Sequence, residues 1–366
     1  MAPVRFVWRS LFILLGIVLV LVLGAVAYRG WRQQENARYL AIETPNGIRE
    51  GSFVPIGRLE QWIQIRGDDR SNPIILMLHG GPGGSMGAFT TLFRPWEKDF
   101  TIVQWDQRGS GRTYGRHGES GQGEMTIARM TNDGIEVAEY LRRRLKQQKI
   151  IVLGHSWGTV LGVLMVKQRP DLFSAYIGTG QVVAKEEKEE IIYDALLKKV
   201  RAANDEEAIT ALEQIGRPPY ASQDELLIQR HWLQRYDIPS ERDIESNLAP
   251  VVLFSPNYSL TDIYNMLNAP KFAAGRIYNE LIPYDARKLG LHFEVPFFII
   301  QGEEDSVTPT NLARAYFDSV DAPVKEFVTI KDAGHSALLT KSDEFLRDVL
   351  DHVLPVVAES DTANFP

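Results

Sequence analysis

The chain has 366 residues, a formal net charge of −7 and no cysteine. Those figures exclude disulfides, thiolate metal sites and a cysteine nucleophile, and without a long basic stripe they argue against a nucleic-acid partner. With 44% apolar and 24% charged residues, the composition is that of an ordinary globular protein with a sizeable core.

The first element is Leu11 to Tyr28, a stretch without a charge, preceded by Arg5 and Arg9 and followed by Arg29 and Arg32. It just reaches the length needed to cross about 30 Å of hydrocarbon. Ala25-Val26-Ala27 also suits the cleavage pattern of a signal peptide. Residues 1–30 are therefore expected to be a signal-anchor or a signal peptide. The first reading gives a membrane-anchored body outside the cytoplasm, the second a secreted or periplasmic one. Residues 29–50 read as a polar linker.

Trp62–Arg66 alternates as an early strand. Pro73–Leu78 and Thr101–Trp105 are short apolar runs of the kind that form buried parallel strands. Ile127–Lys146 has helical spacing, with Met130, Val137, Leu141 and Leu145 on one side. Ile150–Leu153 is another strand, followed by a glycine-flanked turn and the helical run Val160–Lys167. Phe173–Ile177 is a further strand. From about 181 to 290 the chain turns helix-rich, charged and aromatic. Strand character returns at Phe297–Ile300 and Glu326–Ile330, with amphipathic helices near Asn311–Phe317 and Asp343–Val353. This alternation predicts an α/β fold: a mostly parallel central sheet with helices on both faces. Because the alternation resumes, 181–290 reads as a helical insertion between two parts of one body, 31–180 and 291–366.

Gly154-His155-Ser156-Trp157-Gly158 matches G-x-S-x-G, preceded by the strand KIIVL and followed by a helical pattern. A serine at such a sharp strand-to-helix turn projects its hydroxyl beyond the sheet, and the crowded flanking positions must be small. Ser156 is the expected nucleophile. Trp157 starts the helix, with its backbone N–H toward the place where a carbonyl oxygen would become an anion. His79-Gly80-Gly81-Pro82-Gly83-Gly84 follows the strand PIILML, and its glycines let backbone amides face a ligand. Gly81 N–H is the expected second oxyanion donor, with Gly80 as the alternative. A phosphate-binding loop fits poorly, because no G-x-x-x-x-G-K-[ST] or G-x-G-x-x-G pattern is present.

Serine needs a base within hydrogen-bond reach. Of seven histidines, His335 in Asp332-Ala333-Gly334-His335-Ser336 lies in a loop after the last strand and is the expected base. After an elbow of this kind the partners follow in the order serine, acid, histidine. Asp305, in Gln301-Gly302-Glu303-Glu304-Asp305 after the run FFII, is the expected orienting acid. Glu303 and Glu304 compete for that role. No metal or organic cofactor is implied.

HGGPGG at 79–84, DQRGSGRT at 106–113, GHSWG at 154–158, GEED at 302–305 and GH at 334–335 together resemble the proline iminopeptidase branch of the α/β hydrolases. The resemblance implies an α/β-hydrolase fold with a helical cap between the sixth and seventh strands, matching 181–290. It implies Ser156, Asp305 and His335 as a triad, Gly81 and Trp157 as oxyanion donors, and Asp106–Thr113 as a structural loop with Arg108 paired in the interior. It also implies a short-peptide or small-molecule substrate. Members that remove N-terminal proline hold the substrate ammonium with cap glutamates. Here Glu186, Glu187, Glu189, Glu190, Glu213 and Glu280 are available, and none matches that role by sequence. Three functions follow in order: an aminopeptidase, an esterase or amidase for small apolar acyl compounds, and a membrane-tethered binding protein without turnover.

Overall fold

A computed structural model describes residues 2–362. Met1 and residues 363–366, at the outer ends of the first and last expected segments, lie outside the described residues. Helix α1 runs Ala2–Tyr39. Its stretch Ser10–Tyr39 is long and apolar enough to cross a membrane or to be a signal sequence, and none of its most apolar part is buried. The expected linker at 29–50 is corrected here, because helix continues through Tyr39 and a strand starts at Ile48. The polar residues of the helix end have partners, which is why it does not fray into a linker. Arg29 donates to the carbonyls of Leu253 and Tyr258 at 3.0 and 2.7 Å, Gln33 to that of Ser255 at 2.8 Å, and Asn36 to that of Phe254 at 2.9 Å. The carbonyls of Leu253, Phe254 and Ser255 lie at or just past the C-terminal end of the helix Ile244–Leu253, where the last carbonyls lack partners and favour a cation nearby, and that of Tyr258 lies in the turn before the helix that starts at Leu260.

Eight strands form one sheet in the order β1-β2-β4-β3-β5-β6-β7-β8. They are β1 Ile48–Ile56, β2 Leu59–Gly67, β3 Ile74–Leu78, β4 Thr101–Asp106, β5 Ile150–His155, β6 Phe173–Thr179, β7 Phe297–Gly302 and β8 Lys325–Ile330. β1 and β2 pair antiparallel, as do β2 and β4; the other neighbours are parallel. β1 was not foreseen. It is joined to β2 through Gly57 and Arg58, both at positive φ, +56° and +61°. That pairing of angles suits a two-residue hairpin turn.

β3, β4, β6 and β7 are buried at every residue, as expected of strands covered on both faces. After β4 comes α2 Gly111–His117, and on one side of the sheet lie α3 Ile127–Leu145 and α4 Trp157–Gln168, whose Val137, Leu141, Val160 and Leu161 pack with Trp105, Tyr176 and Phe297. On the other side Phe93, Trp96 and Phe100 pack with Met77, Phe298 and Phe345. Between β6 and β7 the chain leaves the sheet for six helices: α5 Lys185–Ala202, α6 Glu206–Ile215, α7 Gln223–Arg235, α8 Pro239–Arg242, α9 Ile244–Leu253 and α10 Leu260–Leu281. These have a small core of their own around Ile192, Leu196, Val200, Leu212 and Trp232.

Candidate active site

At the β5–α4 junction a single residue separates strand from helix. Ser156 sits at φ +53°, ψ −117°, a conformation that strains any residue with a Cβ. Its N–H donates to the Thr179 carbonyl at 2.9 Å, fixing the turn to the next strand. A Cβ at Gly154 would fall 2.6 Å from the Gly158 carbonyl oxygen, and one at Gly158 only 2.1 Å from that of Leu78. Gly158→Ala is therefore expected to destabilise the fold by roughly 3 kcal/mol, the cost of forcing a buried backbone apart. Denaturant unfolding with a midpoint unchanged from the parent would contradict this.

The glycine loop after β3 lies against the elbow. A Cβ on Gly80 would be 3.3 Å from Ser156 Cβ, and one on Gly83 would be 2.7 Å from the carbonyl oxygen of Ala269 in α10. Gly81, at φ +123°, shares the wall of one cavity with Ser156 and Trp157. Gly80 instead lends its carbonyl to Gly84 N–H at 3.2 Å and to His79 Nδ1 at 2.8 Å. The 106–113 segment holds this loop and the elbow together. Gln107 N–H donates to His79 Nε2 at 3.3 Å, and Gln107 Oε1 accepts from Trp157 Nε1 at 3.0 Å. Arg108 is paired inside, its Nε 3.0 Å from Asp133 Oδ2.

These bonds settle the tautomer of His79: Nδ1–H donates and Nε2 accepts, so the ring is neutral. It is 2% exposed, and burial pulls its pKa down to about 4. Burial also lowers His155 to about 4, helped by the charge of neighbouring His335. An unfolded histidine titrates near 6.5. Between pH 6.5 and 4 the unfolded chain thus binds more protons, so stability contributed by neutral His79 is complete above 6.5 and is lost as pH falls toward 4. The expected loss is on the order of 3 kcal/mol for this residue. Buried Asp106, raised to about 6, titrates in the same window with the opposite sign, so the test is the difference in urea midpoint between the parent and His79→Gln, which should shrink from pH 7 to 5 to 4; a constant difference would contradict the assignment.

His335 and Asp305 come from the loops after β8 and β7. His335 Nδ1 lies 3.0 Å from Asp305 Oδ2. Asp305 is 4% exposed, whereas Glu303 and Glu304 face solvent. Burial alone would raise the Asp305 carboxyl. The charge of His335 and hydrogen bonds from His335 and Thr308 outweigh it and hold the pKa below the ordinary carboxylate value. The bonds are numerous: Val307 N–H at 2.9 Å, Thr308 N–H at 2.7 Å and Thr308 Oγ1 at 2.6 Å. Gly180 makes room between the imidazole and the elbow. A Cβ there would be 2.8 Å from His335 Cε1 and 3.5 Å from Ser156 N. The structure thus brings Ser156, His335 and Asp305 together at the strand ends, while His117, His231, His292 and His352 lie elsewhere.

Three supporting residues were missed by sequence reasoning. Thr308 braces Asp305. Glu241 of α8 accepts the Ser336 N–H at 2.8 Å, beside His335. His155 Nε2–H donates to the His335 carbonyl at 3.1 Å. Thr308 left a trace as a hydroxyl three residues beyond the acid, and His155 as a member of the elbow motif whose contact to His335 the sequence does not reveal; Glu241 left none.

The cavity in front of Ser156 is about 450 Å³. Gly81, Pro82, Ser156 and Trp157 form its floor, and α5, α7 and α10 supply Leu226, Leu227, Leu267 and Leu281 with Lys185, Lys188, Arg230 and Lys271. The cap glutamates do not line it. Glu187 pairs with Arg287, Glu213 with Arg201 and Glu189 with Arg230, and Glu280 accepts the Ile127 N–H.

A serine on a strained strand-to-helix elbow, at the C-terminal end of an interior strand of a mostly parallel eight-stranded sheet, defines an α/β hydrolase. The chain belongs to that family: the model of the α/β-hydrolase fold matches residues 73–342. It is similar to the probable aminopeptidase YbaC of Bacillus subtilis (strain 168), 28% identical over 303 residues, covering 82% of this chain and 94% of that one. It is also similar to the proline iminopeptidase of Thermoplasma volcanium, 25% identical over 313 residues, covering 83% and 96%. Among solved structures, the proline iminopeptidase of Mycobacterium smegmatis superposes with a TM-score of 0.58 at 18% identity, covering 85% of this chain and 100% of that chain.

Proposed function

We propose that the protein is a serine hydrolase that cleaves an amide or ester of a short peptide or small molecule through an acyl-enzyme on Ser156. The observation that carries this reading is the His335–Asp305 pair, 3.0 Å apart, set beside the elbow serine. With Nδ1–H donating to Asp305, Nε2 of His335 is left free to take the Ser156 proton as the hydroxyl attacks the carbonyl. The N–H groups of Gly81 and Trp157 stabilise the resulting oxyanion, each worth about 3–4 kcal/mol in such sites. The imidazolium then protonates the leaving group, and water hydrolyses the acyl-enzyme by the same route.

Residues 31–180 and 291–366 form the catalytic body in this reading, 181–290 is the cap, and 1–30 serve as a signal-anchor or signal peptide. The names of the relatives support an aminopeptidase acting on peptides with N-terminal proline or a small apolar residue. A second reading, an esterase or amidase for apolar acyl compounds, is favoured by the cavity wall, where among the described residues no carboxylate waits for an ammonium. Hydrolysis of proline naphthylamide and of nitrophenyl butyrate separates the two. Strong preference for the free amine supports the first, and equal cleavage of an N-acylated analogue defeats it. A fluorophosphonate probe should label Ser156; absence of an adduct would return the chain to a binding role without turnover.

A further inference from the structure

Four cations line the cavity, Lys185, Lys188, Arg230 and Lys271, and among the described residues lining it there is no carboxylate. Three of them gather round one buried anion. Glu189 accepts from Lys185 Nζ, stands 3.2 Å from Lys188 Nζ, and takes both oxygens to Arg230 at 2.6 and 2.7 Å. Lys185, Lys188 and Glu189 are only 8%, 6% and 4% exposed. The cluster holds three formal positive charges against one negative. Excess like charge in a buried place is costly unless a further partner neutralises it. The cost is visible in Lys188, whose ammonium is pushed down to about 7 by burial, with Lys185 and Arg230 adding to the effect. Glu189 is already held by three cations, Lys185, Lys188 and Arg230 on Oε1 and Arg230 on Oε2, with which a substrate ammonium would have to compete. Glu186 and Glu189 border a smaller void of about 20 Å³ that shares Lys185, Leu226 and Tyr278 with this cavity.

The cluster is also tied to the reacting groups. Lys188 Nζ donates to the Val307 carbonyl at 3.1 Å, and the Val307 N–H donates to Asp305. An anion resting on Lys188 and Arg230 therefore lies across the same cavity from Ser156. The remaining wall is apolar, with Leu226, Leu267 and Leu281. We propose that the substrate is an apolar acyl or peptidyl compound carrying a free carboxylate, which docks on the Lys185–Lys188–Arg230 cluster while its ester or amide reaches Ser156. Arg230 already holds Glu189 and Gln229 through its terminal nitrogens, so the carboxylate would take a charge-assisted contact from Lys188 Nζ, with Arg230 adding its positive charge. This rests on the serine-hydrolase reading above and makes it more specific.

Two matched pairs test it: mono-4-nitrophenyl adipate against 4-nitrophenyl hexanoate, and the dipeptide Pro-Leu against its C-terminal amide. The anionic member of at least one pair should have a kcat/KM at least about tenfold higher. Lys188→Gln, and the exposed Lys271→Gln as a variant with no burden on folding, should each lower that ratio, Lys188→Gln by about tenfold. Neutral members that match or exceed the anionic ones in both pairs would overturn the proposal. Should no substrate turn over and Ser156 take no fluorophosphonate, the hydrolase reading itself fails. Calorimetric binding of adipate monoamide against hexanamide then decides the charge question separately: tighter binding of the acid supports the cluster as a carboxylate site, and equal binding overturns it.

Discussion

Ser156→Ala is expected to lower kcat/KM by about 10⁵-fold on any substrate the protein turns over, since loss of the nucleophile in a triad removes nearly all its catalysis. The residual rate comes from the oxyanion donors and binding alone. Fluorophosphonate labelling should vanish with it. The fold should survive, because the hydroxyl is not part of the core. A further variant separates chemistry from strain. At φ +53° alanine is strained as serine is, whereas glycine is not. Ser156→Gly should therefore be as inactive as Ser156→Ala yet more stable than it by about 1 kcal/mol in a denaturant titration. Retained turnover in either variant would remove Ser156 from the mechanism.

Asp305→Asn is expected to cost about 10⁴-fold in kcat/KM, because an amide at this position favours the wrong imidazole tautomer. Here the effect should be full, since Asp305 is buried and accepts from His335, Val307 and Thr308 together. Glu303→Gln and Glu304→Gln, on solvent-facing neighbours, should stay within about twofold of the parent, as surface changes usually do. A collapse in either of those, with Asp305→Asn active, would transfer the acid to the neighbouring position.

The centre of the sheet was legible because β3, β5, β6 and β7 are short apolar runs with glycine at or close behind their ends, and their near-complete burial leaves little other pattern for them. Ser156, Asp305 and His335 could be singled out because each follows such a run. β1 escaped notice for a physical reason. IREGSFVPI alternates poorly, carries a proline, and turns through Gly57-Arg58, which lacks the asparagine-glycine or aspartate-glycine signature. Glu241 and the Glu189 cluster were equally hidden. A carboxylate on an amphipathic helix looks the same in sequence whether water or three cations surround it, and only the packing of α5 against α7 decides. The linker expectation failed at Arg29, Gln33 and Asn36, polar residues whose partners lie more than two hundred positions away.

Those same three residues turn the end of α1 into a lever. Their bonds grip the carbonyls of 253–258, between α9 and α10, and α10 supplies the Leu267 wall of the cavity. An outward swing of that wall must either break four or more hydrogen bonds or drag the helix with it. If cleavage followed Ala27, Tyr28 to Tyr39 would remain as a brace on the cap. If the helix stays whole in a bilayer, the opening of the cavity and the tilt of the helix become one mechanical motion.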